Sequence, residues 1–528
     1  MSDIKGSQDK ISINTDPSSP MEESATNLAK NFDHMDKAAK FLAENEGKYE
    51  PMSDIEIKKM IRKTDWFLLP TLFFTATMGA VDKVALGTSA IFGLRTDNHL
   101  VGQQYSWLST ILFIGSLVGM WPMSYIIQRY RLGKVLGCCS FIWSALTLLL
   151  CACHNFGGLA AIRFLMGFVE CAIVPGCSLM ISIFYVKDEI PHRTAIIFMF
   201  MSSVINGALS ALASTFGNTI PTWKYIFILI GSVSIVWSSF VIWFLPDSPI
   251  NAKFLTNKEK YFTVKRVSDN KTGIENDEWK WGQVKEGFFD IRIYIIMLFN
   301  FGINIPNGGL STYSSIIINN LGFSSVKSSL MGIPTGIIAS IATVFFTWCA
   351  SRWNNKRCLL AIISLIIPLI GSIISYTCSH DNTAAQLVGL YFQYFYFASY
   401  VVMISCVQAN TAGNTKKAMT YSFNYLGYCG GAITGTQTFR SNQAPRYTGG
   451  FISMLVGYCA CMLLSASYWL VCIILNKKKR AFLESNKGDS ESSAAVKGDI
   501  YEVVESSERE EAVADLTDKQ QIHFFYTT

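Results

Sequence analysis

Charge is what this chain has least of. Only 16% of its 528 residues are Asp, Glu, Lys or Arg, where a soluble globular protein carries about 25%. Half of the residues are hydrophobic and 13% are aromatic, and the mean hydropathy is +0.30. Too few charges remain to coat a soluble surface of this size, which argues against a soluble enzyme or a disordered protein. Catalytic signatures are lacking as well. No Walker glycine loop, HExxH or GxSxG stands in a usable context, so neither an ATPase nor another enzyme is expected, and no cofactor. Cysteine is plentiful, at fourteen, but it has neither CxxC pairs on polar loops nor zinc spacing with His, so no metal is expected. These thiols read as small buried hydrophobes, with Cys153 and Cys378, near the ends of their apolar runs, left as one conceivable pair. Residues 1–50 lack the apolar core of a secretory signal and read as a disordered polar tail.

Long apolar runs are present instead, and about 18 apolar residues are enough to span a bilayer. Twelve fall near 66–92, 105–127, 135–153, 159–185, 195–216, 225–245, 293–317, 329–349, 358–377, 385–408, 418–438 and 450–475. The charged stretch Pro246 to Arg292 separates them six and six. The expected fold is therefore an all-α membrane protein of twelve transmembrane helices. Its parts are a tail 1–65, a first half 66–245, a central loop 246–292, a second half 293–475 and a tail 476–528. Ser53 and Glu56 have capping-box spacing and predict a short helix just before span 1. The tail beyond Arg480, rich in Glu, Asp and Ser, reads as disordered.

Orientation follows from Lys and Arg in the short loops. An inside N-terminus puts Arg129, Arg131, Lys134, Lys187, Arg193, Arg352, Lys356, Arg357, Lys416 and Lys417 inside. Arg95, Lys224, Lys327, Arg440 and Arg446 lie opposite. Ten against five predicts two cytosolic termini and a cytosolic central loop. The triplet Asn270-Lys-Thr272 would then be a silent glycosylation site. Arg129 to Lys134 after span 2 and Arg352 to Arg357 after span 8 hold equivalent places in the two halves. Parallel six-span repeats place a cavity between the halves at the midplane.

Charges within spans are expensive and usually functional. Asp82 and Lys83 lie in span 1, and Arg163 and Glu170 in span 4. At about 1.5 Å per residue, Asp82 and Arg163 come to similar depths. Arg163 and Glu170, seven residues apart, leave one helical face with the acid about 10 Å deeper. Arg163 can bind a carboxylate bidentately, and Lys83 can add a point charge. A desolvated Glu170 can hold a proton near neutral pH. Asp82 is the second proton candidate, with a structural role in orienting the bases. The plainer reading is a salt-bridge cluster, Asp82–Arg163 or Glu170–Lys83, that ties span 1 to span 4. In span 7, Asn300, Asn304 and Asn307 stand beside Pro306, Gly308 and Gly309, which are expected to break the helix at a cavity. Asn304, Asn307 and Gln393 are the neutral substrate-binding candidates, with Gln408 and Asn424 behind them. Gly427, Gly430, Gly431 and Gly435 in span 11 read as close-packing positions.

Several motifs carry a resemblance: Met78 to Lys83 (MGAVDK), Gln104 to Trp107 (QYSW), Arg163 to Glu170 (RFLMGFVE), Leu245 to Pro249 (LPDSP), Asn304 to Gly309 (NIPNGG), Leu330 to Gly336 (LMGIPTG), Gly413 to Lys417 (GNTKK) and Ala444 to Tyr447 (APRY). In this order the chain resembles the fungal allantoate permease family, the anion:cation symporter branch of the major facilitator superfamily. Gln128 departs from the acid that the superfamily usually carries there. The span-4 pair also resembles that of the vesicular glutamate and sialic acid carriers. The resemblance implies a monomer in the plasma membrane, in contact with lipid and not nucleic acid, that imports a small organic anion with protons. The family's substrates include allantoate, ureidosuccinate and other carboxylates. A transporter-like nutrient receptor or an exporter is the alternative. The tails are short for a receptor, and span 5 lacks the Gly-Pro pattern common in antiporters.

Overall fold

The computed structural model describes residues 41–42, 44–186, 189–216, 219–269, 280–353, 355–379, 382–490, 517–521 and 524–528. The triplet at Asn270 and most of the tail 1–50 lie outside them. Residues Met1–Pro51 and Met52–Thr528 form separate compact units, and the spans described below belong to the second.

Span 1 is Asp54–Ser89. Ser53 and Glu56 cap it reciprocally, but the helix they start is continuous with the span. The expected separate short helix does not form, because Ile57 to Trp66 offers no breaker. Span 2 is Gln104–Arg129, span 3 Leu132–Leu149 and span 6 Thr222–Phe244. Span 4 is broken into Phe156–Glu170 and Ile173–Phe184, and span 5 into Ile190–Ile197 and Ser202–Ala213. In the second half, span 7 is Ile291–Asn320, span 9 Arg357–Thr377, span 11 Asn414–Thr438 and span 12 Thr448–Ser490. Span 8 is Ser325–Met331 with Ile333–Arg352, and span 10 is Thr383–Gln393 with Tyr396–Asn410. Eleven of the twelve are long and apolar enough to cross a membrane. Span 11 has the length but is diluted by Thr, Ser, Asn and Gly.

Two expectations fail here. Span 7 does not break, since Pro306 is carried inside a continuous helix of 30 residues. Gly308 and Gly309 serve contact instead: a Cβ on Gly308 would stand 2.2 Å from the Ala432 carbonyl, and one on Gly309 2.4 Å from the Phe439 ring. The tail beyond Arg480 is also not uniformly disordered. The last helix reaches Ser490, and residues 517–521 and 524–528 lie against the second half.

Large apolar side chains face outward, as lipid requires and water forbids. Trp66, Trp121, Trp243 and Leu463 are each 70–78% exposed, and such Trp suits a membrane interface. The fourteen cysteines are all free, Cys153 and Cys378 included. Of the central connection, the helix Asn257–Asp269 is tied to the first half by Lys63–Glu259 at 2.9 Å and by Arg266–Glu189. The helix Trp281–Phe288 packs on the second, where Gln283 accepts from the Lys416 amide. The start of span 1, the end of span 12 and these helices share one end of the bundle, the terminal face. Toward the opposite end, a seam of hydrogen bonds joins the halves. Tyr105 donates to the Thr312 carbonyl at 2.7 Å, Ser109 meets Thr312 Oγ1 at 2.9 Å, Thr88 meets Ser315 at 3.2 Å, and Thr110 meets Thr436 at 2.9 Å.

Candidate functional site

Span 4 explains where the charges sit. Asn155 caps its start by accepting from the Gly158 amide at 2.8 Å, and the helix runs unbroken to Glu170. Pro175, four residues past Cys171, cannot donate and crowds the Cys171 carbonyl, so the helix breaks at Cys171–Ala172. Glu170 is left at a helix end deep within a span.

Both pairings weighed from the sequence form together. Arg163 Nη1 meets Asp82 Oδ2 at 2.7 Å, with both side chains fully buried. Lys83 Nζ meets Glu170 Oε1 at 2.5 Å. The pairs differ in access: the Lys83 side chain is 22% exposed, that of Arg163 only 2%. Lys83, rather than Arg163, is thus the cation that faces the space between the halves. Arg163 is sealed against its acid, so it acts first as the partner that allows Asp82 to be buried. One polar atom of each remains without a hydrogen bond: Asp82 Oδ1, Arg163 Nη2 and Glu170 Oε2.

The second half reaches this cluster through aromatics that sequence reading missed. Lys83 Nζ donates to the Tyr428 hydroxyl at 3.3 Å, and lies 5.9 Å from the ring centres of Tyr428 and of Phe113. Tyr425 stacks on Tyr428 at 5.5 Å. The spacing Tyr425, Tyr428 beside the span-11 glycines was the available signal. Those glycines let span 11 press on span 7: a Cβ on Gly431 would lie 2.1 Å from the Phe301 carbonyl and one on Gly435 2.0 Å from that of Ile305.

The neutral candidates divide. Asn307 is half-buried and accepts from Tyr396 at 3.1 Å while donating to Asn304 Oδ1 at 2.9 Å. Asn304 is buried and donates to the Asn300 carbonyl. Asn300 in turn donates to Asn424 at 2.8 Å. Gln393 is fully buried and donates to Ser375 of span 9 at 3.0 Å, so it holds spans 9 and 10 together rather than facing the other half. Among the described residues no His, Cys, Asp and Glu cluster could hold a metal.

In chemical terms the four inner charges sum to zero. An added proton on Glu170 would free Lys83 and leave one positive charge, the amount that a monoanion neutralises. Net charge in a low-dielectric site is what makes burial costly.

Comparison with known proteins agrees with this architecture. The Major Facilitator Superfamily model matches residues 71–436. An MFS-type transporter of Penicillium expansum is 34% identical over 473 residues, covering 90% of this chain and 88% of that protein. The allantoate permease of Saccharomyces cerevisiae is 30% identical over 511 residues, covering 94% and 90%. Among solved structures, the proton:xylose symporter XylE aligns with a TM-score of 0.61 at 12% identity, over 76% of this chain and 95% of that one. A bacterial homologue of the lysosomal transporter Spinster, in an inward-facing conformation, aligns with a TM-score of 0.54 at 15% identity, over 76% and 96%. These two likenesses concern the fold alone. The chain belongs to the major facilitator superfamily, among its allantoate-permease-like transporters, and is a multi-pass membrane protein.

Proposed function

We propose that the protein imports a small organic anion, a carboxylate of the allantoate or ureidosuccinate kind, together with a proton across the plasma membrane. Both termini and the central loop face the cytosol, and the monomer is the working unit. The observation that carries this reading is the Lys83–Glu170 pair, an ion pair at the partly exposed edge of a neutral cluster. When Glu170 takes a proton, Lys83 turns from it to the entering carboxylate. When the anion leaves, Lys83 returns and Glu170 gives up its proton. Tyr428, on the opposite half, holds the ammonium group in reach of both. Asn307 and Tyr396 offer uncharged hydrogen-bonding groups for the remainder of the substrate. The seam at the end opposite the terminal face closes the outer mouth, which fits a transporter caught open toward the cytosol or occluded.

The test uses labelled carboxylates in cells without carriers of their own, followed by vesicles of the purified protein. Glu170→Gln should bind substrate and exchange it for substrate at near the native rate, yet fail to accumulate it against a gradient. Full proton-driven accumulation by Glu170→Gln would remove Glu170 from the mechanism. If no carboxylate is taken up by the native chain, the anion reading itself fails.

A further inference from the structure

We infer that the terminal face of the second half is a docking site for the chain's own segment 517–528, which it holds as a releasable latch. The seat is built around two buried cations. Arg292, at the start of span 7, and Lys416, at the start of span 11, are 5% and 1% exposed. Asp518 comes from the segment and is fully buried between them. Its Oδ1 accepts from Lys416 Nζ at 2.8 Å, and its Oδ2 accepts from Arg292 and, at 2.8 Å, from the Tyr526 hydroxyl. The Arg292 guanidinium lies 4.3 Å from the Tyr526 ring centre.

The backbone of the segment is read as closely as its acid. Asn410, at the end of span 10, donates to the Thr527 carbonyl and accepts from the Thr527 amide, each at 2.7 Å. Asn476 of span 12 grips Tyr526 in the same paired way, each bond 2.8 Å. Lys479 donates to the carbonyls of Asp518, Gln521 and Phe524 at 2.6, 2.8 and 2.9 Å. The Arg357 amide, opening span 9, donates to the Thr528 carbonyl at 2.8 Å. Shifting the segment by one residue would break both asparagine pairs and withdraw Asp518 from its cations. The fit is therefore specific in register, and one segment gathers the ends of spans 7, 9, 10, 11 and 12.

Release is feasible because the seat is paired without its occupant. Arg292 keeps Asp290 at 2.5 Å, and Lys416 keeps Asp290 and Glu286, each at 2.9 Å. Departure of Asp518 strands no buried cation, which is the usual penalty for opening an ion pair.

The probe is a fluorescent peptide of residues 517–528, titrated into the purified full-length protein and followed by anisotropy. The Asp518→Lys chain, whose own segment is expelled by two cations, should bind the peptide saturably. The native chain, its seat filled, should bind at least tenfold more weakly. A peptide carrying Asp518→Lys should bind the emptied chain at least tenfold more weakly than the native peptide. Thr527→Pro, which deletes the amide donated to Asn410, empties the seat without adding charge and serves if the Asp518→Lys chain does not fold. Equal binding of both peptides to an emptied, monodisperse chain, or binding of neither, overturns the inference.

Discussion

A single side chain decides how the inner charges should be read. Arg163 is sealed against Asp82, and removing one member of a buried pair typically costs about 3–5 kcal/mol because the other charge is left alone. Arg163→Gln is expected to lower the yield of folded protein in the membrane, and Asp82→Asn on top of it to restore that yield, measured by size-exclusion chromatography of solubilised protein. Uptake by the double variant then separates the two roles. Restored uptake assigns Arg163 to structure alone, whereas a folded but inactive protein places it in substrate binding. The sequence placed Asp82, Lys83 and Arg163 at similar depths and Glu170 about 10 Å deeper, because the helical rise is fixed. Which pairs with which, and which cation stays accessible, it left open, since that depends on how span 1 is rotated against span 4 and on Tyr428 from the other half.

At the scale of elements, proline acts differently in two spans of the same fold. Pro306 is carried within an unbroken span 7, where span 11 packs close against Gly308 and supports the helix from outside. Pro175 ends the first segment of span 4 just after Glu170, although that turn is itself buried. Pro175→Ala should let the helix continue through Cys171 and turn Glu170 away from Lys83. The expected outcome is a rise in thermal unfolding temperature in detergent, since proline in a helix interior costs about 3 kcal/mol relative to Ala, together with a loss of uptake. Raised stability with unchanged uptake would show that the break has no part in transport. Sequence reading assigned the helix break to span 7, where Pro and Gly are densest. It erred because residue composition does not report whether a neighbouring helix is close enough to hold the chain straight.

For the whole molecule, the buried charges at the terminal face set how its latch responds to pH. Burial alone would raise the carboxyl groups of Asp290 and Asp518, but Arg292 and Lys416 outweigh it and hold both below the ordinary carboxylate range. The groups facing Asp518 are Arg292, Lys416 and Tyr526, with Lys479 on its carbonyl and Asp290 and Glu286 on the far side of the cations. A carboxyl depressed on docking contributes binding in full above its free value of about 3.9, and loses it as the pH falls below that. Peptide affinity should therefore be flat from pH 8 to about pH 5 and fall only below about pH 4. A loss beginning near pH 6 would mean that another group controls the seat.

The sequence by itself determined the solvent, the number of spans and the division into halves. Apolar runs of membrane length and basic loops are local properties that survive without knowledge of neighbours. It also located Asp82, Lys83, Arg163 and Glu170, because a charge inside an apolar run is conspicuous wherever it points. Tertiary structure decided the rest. Gln393 looked like a cavity residue and is turned toward Ser375, since one polar side chain on an apolar helix can face any of several neighbours. Tyr428 was not singled out in the sequence, and only the meeting of the two halves brings it to Lys83. The acidic tail read as solvated chain, yet Asp518 is buried, because the cations that receive it lie 226 and 102 residues earlier and come together only when spans 7 and 11 are packed.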